Sequence, residues 1–312
     1  MRNKLSIIFL LLGGVFFMVG ATFMSVNSTK HEDKKKYSSK EETKKSVSTY
    51  MPVLLKIEDK DSSVYILPNM PLGDSKISNV DDKIYDMLEK YPLVVQYDNS
   101  KLNQLDYIKN FVLNEEDYLD NYISDGLKEK LFNFSNSHSK YNYDDYKHYN
   151  IGFNYTVLDN LAYYEAGLTT DSFLNDMLEK YRSNPDNVVL VLERESDSVK
   201  YINDPSKETF SSLMDKLIDN FDNVKKKYKN NYKNYLDGNV NELNKFYNSI
   251  SSDDEYYKAK ITDRNDRYIL FIEEHLKINK EVLIVLDSEN VFGDNGVYKT
   301  LESKDYAVRI IK

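Results

Sequence analysis

The chain has 312 residues, 42 Lys and Arg against 51 Asp and Glu, a net charge of −9 and no cysteine. That length suits one large domain or two small ones, and the missing cysteine excludes disulfides, zinc–thiolate sites and a thiol nucleophile. The 27 tyrosines beside no tryptophan are read as compositional bias rather than as a functional signal.

Residues 5–26 form an apolar run behind Arg2 and Lys4. Crossing a bilayer takes about 20 apolar residues, so the run predicts a membrane anchor. Its apolar character continues past Val19-Gly20-Ala21 through Phe23 and Met24, which favours an uncleaved anchor over a cleaved signal peptide and a secreted chain. The basic residues ahead of the run place 1–4 in the cytoplasm and the remainder outside, whereas the lysines just after it argue the other way. Residues 27–49 are rich in Ser, Thr, Lys and Glu with no apolar periodicity, and carry a net +3. They predict a disordered stalk. Subtracting that +3 and the +2 of Arg2 and Lys4 from −9 leaves −14 for residues 50–312. So acidic a domain excludes nucleic acid as partner, because phosphate binding needs a basic face.

Two apolar runs, 53–57 and 64–67, flank the polar stretch 58–63 and predict a β-hairpin. Residues 80–90 place Val80, Ile84, Met87 and Leu88 on one helix face, and 93–95 begin a short buried strand. From about 101 to 183 the pattern is mostly helical, with a helix expected over 118–132 and an unassigned Tyr/Asp/Asn-rich stretch at 141–155. Ordinary core packing is the favoured account of those tyrosines, and an aromatic binding surface the alternative. A turn at Asn184-Pro185-Asp186 precedes a fully apolar strand at 188–192. Pro205-Ser206 opens a helix, 225–233 is a basic helix surface, and Asp237-Gly238-Asn239 is a turn ahead of a helix over Val240–Ile250. The C-terminal unit has a helix opened by Thr262-Asp263, a strand at 282–286, a polar loop ending in Gly293, a short helix and a strand at 306–311.

This order predicts an α/β chain of the α+β type with a mixed sheet. Residues 64–95 and 282–311 each run strand, polar turn, helix, strand. That repeat predicts a duplicated core with two loops facing one cleft and a helical subdomain inserted at about 101–183. A polar loop just past a buried strand is where α/β proteins place their sites.

Residues 52–312 resemble the TraB/GumN family, also called the Tiki-like or pheromone-shutdown family. The resemblance rests on Leu54-Leu55-Lys56-Ile57 through Tyr65-Ile66-Leu67, on Gly73, on Val191-Leu192-Glu193, on Asp237-Gly238-Asn239, on Arg264-Asn265, and on Gly293 and Gly296. It implies a metal-dependent peptide hydrolase with two histidines, each ending a Gly-x-x-His loop, and acidic residues around the metal. Here those loops fall at Pro68 to Pro71 and at Asp287 to Asn290, the glutamate ending the next strand is Gln96, and the glutamine after Glu193 is Ser198. An amide oxygen is a weak metal ligand and proline offers none, so a zinc-type centre is expected to be lost or severely weakened.

The binding cleft is therefore expected to gather Asn69, Pro71, Gln96, Glu193, Arg264, Asp287, Glu289 and Asn290, with Glu193 and Arg264 as the candidate catalytic pair. Arg264 is suited to a bidentate pair with a carboxylate, either that of Glu193 or that of a ligand. No cofactor is expected beyond a divalent cation held weakly by Asp287, Glu289 and Glu193. The four histidines, His31, His138, His148 and His275, have no ligand spacing and are expected to be solvated surface groups. No dinucleotide, Walker or nucleophile-elbow motif occurs. The favoured function is an exported, membrane-anchored, non-catalytic module that binds a peptide or a protein partner. The alternative is a diverged hydrolase using the remaining carboxylates.

Overall fold

The computed structural model describes residues 50–311 apart from 78–79, 99, 101, 172 and 252–253. The expected segments 1–4, 5–26 and 27–49 lie outside the described residues, as does His31.

Strands β1 (Leu54–Asp59) and β2 (Ser62–Asn69) form the expected hairpin, closed by Lys60 in a left-handed conformation at φ 52. The chain then runs through β3 (Leu72–Gly73), the helix Asp82–Lys90 and β4 (Leu93–Val95). Asp81 caps that helix by accepting from the Lys83 amide. After a helical stretch come β5 (Thr170–Asp171), β6 (Leu190–Val191), more helices, β7 (Val282–Asp287) and β8 (Ala307–Ile311).

The main sheet has the order β6-β4-β7-β2-β1-β8, and β3 pairs with β5 separately. Only β1 runs against the other strands: β2, β4, β6 and β7 are mutually parallel, and β8 pairs antiparallel to β1. The molecule is thus a mixed α/β protein of the α+β type, as expected. β2 and β7 lie side by side in parallel from Val64↔Val282 to Asn69↔Asp287. β7 shows the unbroken apolar run of a strand covered on both faces, with all six of its residues buried.

Four expectations change. The strand expected at 188–192 shrinks to the two residues of β6, and both are 43% exposed. β6 is an edge strand paired to β4 alone, so its apolar side chains lack a covering layer. The helix expected over 118–132 is a 3₁₀ turn, Leu119–Asn121, followed by a helix Asp125–Ser137 that restarts where the Ser124 side chain accepts from the Leu127 amide. An α-helix does begin at Asp263, but Thr262 makes no capping bond and continues an earlier helix. The true cap is Asp254, which accepts from Tyr257 N, and the helix runs Glu255–Tyr257, then a π-helical turn Lys258–Thr262, then Asp263–Lys277. Thr262 itself sits in helical conformation, φ −63 and ψ −53. The polar loop after β7 is a one-turn helix, Ser288–Val291.

The helices of the 101–183 stretch do not stand apart. Ile151–Glu165 packs against Lys207–Asp219 and Phe221–Leu236. Tyr141, Tyr143 and Tyr146 are buried, and the rings of Tyr141 and Tyr146 stack 5.3 Å apart and parallel to within 1°. Core packing therefore accounts for the tyrosine-rich stretch. Among the described residues no helix is long and apolar enough to cross a membrane.

Ser206 caps Lys207–Asp219, one of the two helices that flank Ile151–Glu165, by accepting from Thr209 N. Ser206→Ala should cost about 1 kcal/mol, the usual worth of such a cap. Urea denaturation at neutral pH measures it, and an unchanged midpoint would show the cap idle.

Candidate functional site

The parallel register of β2 and β7 brings Asn69 beside Asp287, so the two strand ends open at one place, as the repeat predicted. Asp287 accepts from Asn69 Nδ2 at 3.0 Å, from Gln96 Nε2 at 3.3 Å and from the Tyr97 hydroxyl at 3.5 Å. Gln96 follows β4 and is fixed in turn, because its Oε1 accepts from the Asp287 amide at 2.8 Å. All these donors are neutral. Burial, with the Glu289 carboxylate nearby, pushes the Asp287 carboxyl up to about 6.

Glu193 follows β6, where its amide donates to the Gln96 carbonyl at 2.9 Å. Arg264 Nε donates to Glu193 Oε1 at 2.6 Å and its NH2 to Oε2 at 2.8 Å, a bidentate pair. The two side chains are only 3% and 5% exposed. The third guanidinium nitrogen donates to the Lys260 carbonyl at 2.8 Å, and the Tyr268 hydroxyl donates to Glu193 Oε1. Burial works against the charge on Arg264, but Glu193 and the Tyr268 hydroxyl outweigh it and raise the guanidinium well above its ordinary value.

These groups border a cavity of about 300 Å³, the low end of ligand-site volumes. Three helices line it at helical spacing. Ile151–Glu165 contributes Thr156, Asp159, Asn160 and Tyr163, Glu195–Asn203 contributes Ser198 and Tyr201, and the segment 255–264 contributes Tyr256, Lys260 and Arg264. Lys260 pairs with Glu289 at 2.9 Å. Burial opposes the Lys260 charge, yet Glu289 and the neighbouring hydroxyls hold its ammonium well above the usual value. Asp159 accepts from the Tyr228 hydroxyl, and burial raises its carboxyl. The Arg264 guanidinium lies 5.0 Å from the Tyr201 ring centre and the Lys260 ammonium 5.6 Å from that of Tyr256.

Of the expected cleft residues, Pro71, Glu193, Arg264, Asp287 and Glu289 line the cavity. Asn69 and Gln96 stand behind Asp287 and orient it. Asn290 is not in the cleft. It is fully buried, its Nδ2 donates to Asn265 Oδ1 at 3.0 Å, and Asn265 Nδ2 donates back to the Asn290 carbonyl at 3.0 Å. The one-turn helix after β7 turns Asn290 toward the core because Asn265 offers it a matching amide there. Sequence reasoning missed Lys260, Asp159, Asn160 and the tyrosine walls. The available signal was a group of polar side chains, Thr156, Asp159 and Asn160, at helical spacing inside the largely apolar 151–162.

The histidines stand elsewhere. His148 is exposed, but His138 and His275 are half-buried rather than solvated. His138 stacks on Phe134 and meets Glu165 at 2.9 Å, while His275 Nδ1 lies 2.9 Å from the Phe271 carbonyl.

A model of the TraB/PrgY/gumN family matches residues 53–310. The chain belongs to the TraB/PrgY/gumN family. No curated protein and no solved structure is a significant match to it. The match runs from the first residue before β1 to within β8, so it takes in every strand and helix that borders the cleft. The metal centre implied for this TraB/PrgY/gumN chain needs nitrogen and carboxylate donors converging on one point. Pro71 has no donor, Asn290 is held away by Asn265, and Glu193 is chelated by Arg264. Among the described residues no group of three His, Asp or Glu side chains is placed to hold a metal ion. The residues present do not fit that centre.

Proposed function

We propose that this family member is a non-catalytic binding module that takes a peptide or protein partner in the cleft at the ends of β2, β4 and β7. We further propose that residues 5–26 anchor it in a membrane with residues 50–312 on the outer side, with 27–49 as a charged stalk. The observation that carries the binding reading is the fate of the old ligand positions. Asn290 is locked to Asn265, and Glu193 is committed to Arg264 by two short hydrogen bonds. The cleft lies at the carboxyl ends of parallel strands, where α/β proteins bind their ligands, which supports the reading.

One observation favours a second reading. Asp287 is a buried carboxylate with a raised pKa in a cleft, the pattern of a general acid or base. A diverged hydrolase would use it with Glu193, Glu289 and a weakly held divalent cation. The purified full-length protein, given zinc or magnesium and a mixed peptide pool, separates the two. We expect no cleavage and no stoichiometric metal retained after gel filtration. Cleavage that disappears in Asp287→Asn would replace the module with the hydrolase.

A further inference from the structure

The charges that line the cleft do not cancel. Lys260 is matched by Glu289 at 2.9 Å and Arg264 by Glu193 at 2.6 Å. Asp98, at the edge, is matched by Arg182, and Arg194 and Glu195 stand exposed at the rim. Asp159 and Asp287 remain, and both are held by neutral donors: Tyr228 for the first, Asn69, Gln96 and Tyr97 for the second. Two carboxylates without an ion-pair partner of their own leave the cavity short of positive charge. The walls around them are tyrosine rings, including Tyr163 and Tyr247. Aromatic faces attract a cation.

A second observation points the same way. Asn160 lines this cavity and is 7% exposed, and its amide nitrogen is buried with no hydrogen-bond partner. A buried donor left unmet is unfavourable, because it has given up water and gained no partner. Asp159 lines the same cavity, so a ligand that meets Asp159 with a positive charge and Asn160 with a carbonyl would satisfy both.

We infer that the cleft takes a primary ammonium group carried next to a carbonyl, the chemistry of a free peptide N-terminus, with Asp159 receiving the ammonium, Asp287 adding its charge to the same cavity and Asn160 donating to the carbonyl. This rests on the binding-module reading and names the ligand class for that site. The volume of about 300 Å³ limits the enclosed part to the first residue or two, and the rest of the ligand leaves past the exposed rim at Arg194 and Glu195.

The test uses the full-length protein, immobilised, and three pools of random tripeptide amides read by mass spectrometry. One pool has free N-termini and no lysine, one is the same pool N-acetylated, and one is acetylated but contains lysine. We expect the free-amine pool to be retained at least tenfold over both acetylated pools. Asp159→Asn should remove about tenfold of that retention, with Asp287→Asn as the second variant and thermal melting as the control for folding. Equal retention of free and acetylated pools, retention of the lysine pool in place of the free-amine pool, or no retention of any pool overturns the inference. The first two of those results leave the module intact, because a ligand is still bound. Cleavage of the pool peptides would instead overturn the module itself.

Discussion

Arg264→Ala is expected to destabilise the protein by about 3–5 kcal/mol, the range for removing one partner of a buried ion pair. The loss comes from what is left behind. Glu193, 3% exposed, would keep only the Tyr268 hydroxyl and a distant Arg267 guanidinium at 3.7 Å. The Lys260 carbonyl would also lose its donor. Arg264→Lys should not restore stability, because a single ammonium cannot reproduce the planar two-point contact with both carboxylate oxygens. The double replacement Glu193→Leu with Arg264→Met should cost less than Arg264→Ala alone, since it removes the stranded charge together with its partner. Denaturant unfolding of the four proteins measures this. A loss below about 1 kcal/mol for Arg264→Ala would mean that water reaches Glu193 and that the pair is not structural.

The second large effect is a pH dependence set by Asp287. Its carboxyl is pushed from an ordinary 3.8 up to about 6 in the folded chain. The folded state therefore binds the proton more tightly than the unfolded state between those values. Stability falls as pH rises through this window, and the full penalty is present above about pH 6. A shift of about two units corresponds to about 3 kcal/mol at 1.36 kcal/mol per unit. Asp287→Asn removes the titration but gives up about 1 kcal/mol, because its amide faces donors that the carboxylate accepted from. We expect the variant to be less stable than the parent at pH 4 and more stable at pH 8, with the difference changing by about 2–3 kcal/mol across that range. Parallel stability curves for the two proteins would show that Asp287 is solvated and ordinary. Asp159, raised by burial in the same direction, adds a slope common to both proteins and cancels in the comparison.

What the sequence disclosed and what it concealed divide by the range of the interaction. The hairpin, the strand Leu93–Val95 and the helix Val240–Ile250 were legible because turn residues bracket short apolar runs. The pairing of Glu193 with Arg264 was legible as one of two roles for the arginine, whose planar fork suits a carboxylate. The neighbourhood of Asn69 and Asp287 was legible through the repeat, although aligning the two loops set Pro68 rather than Asn69 against Asp287. Lys260 and Asp159 were not legible, because they reach the cleft from helices about a hundred residues apart in the chain and no local pattern marks them. Asn290 misled because its orientation depends on Asn265, a contact between two helices. β6 misled because an apolar pentapeptide looks the same whether it lies mid-sheet or at an edge.

The π-helical turn Lys258–Thr262 sets a phase between two halves of one rod. Ahead of it Tyr256 looks into the cleft, Lys260 does so from within it, and beyond it Tyr268, Ile272 and Leu276 are buried in the core. Each residue of an α-helix advances the face by about 100°, and a π turn holds one residue more than its α counterpart. Losing that residue would wind the segment into a plain α-helix and swing Tyr256 by about that angle relative to the core-packed half. The remaining side chains would keep their order, but Tyr256 would leave the cleft wall. The composition of the cleft is thus written as much in a count of residues as in their identities.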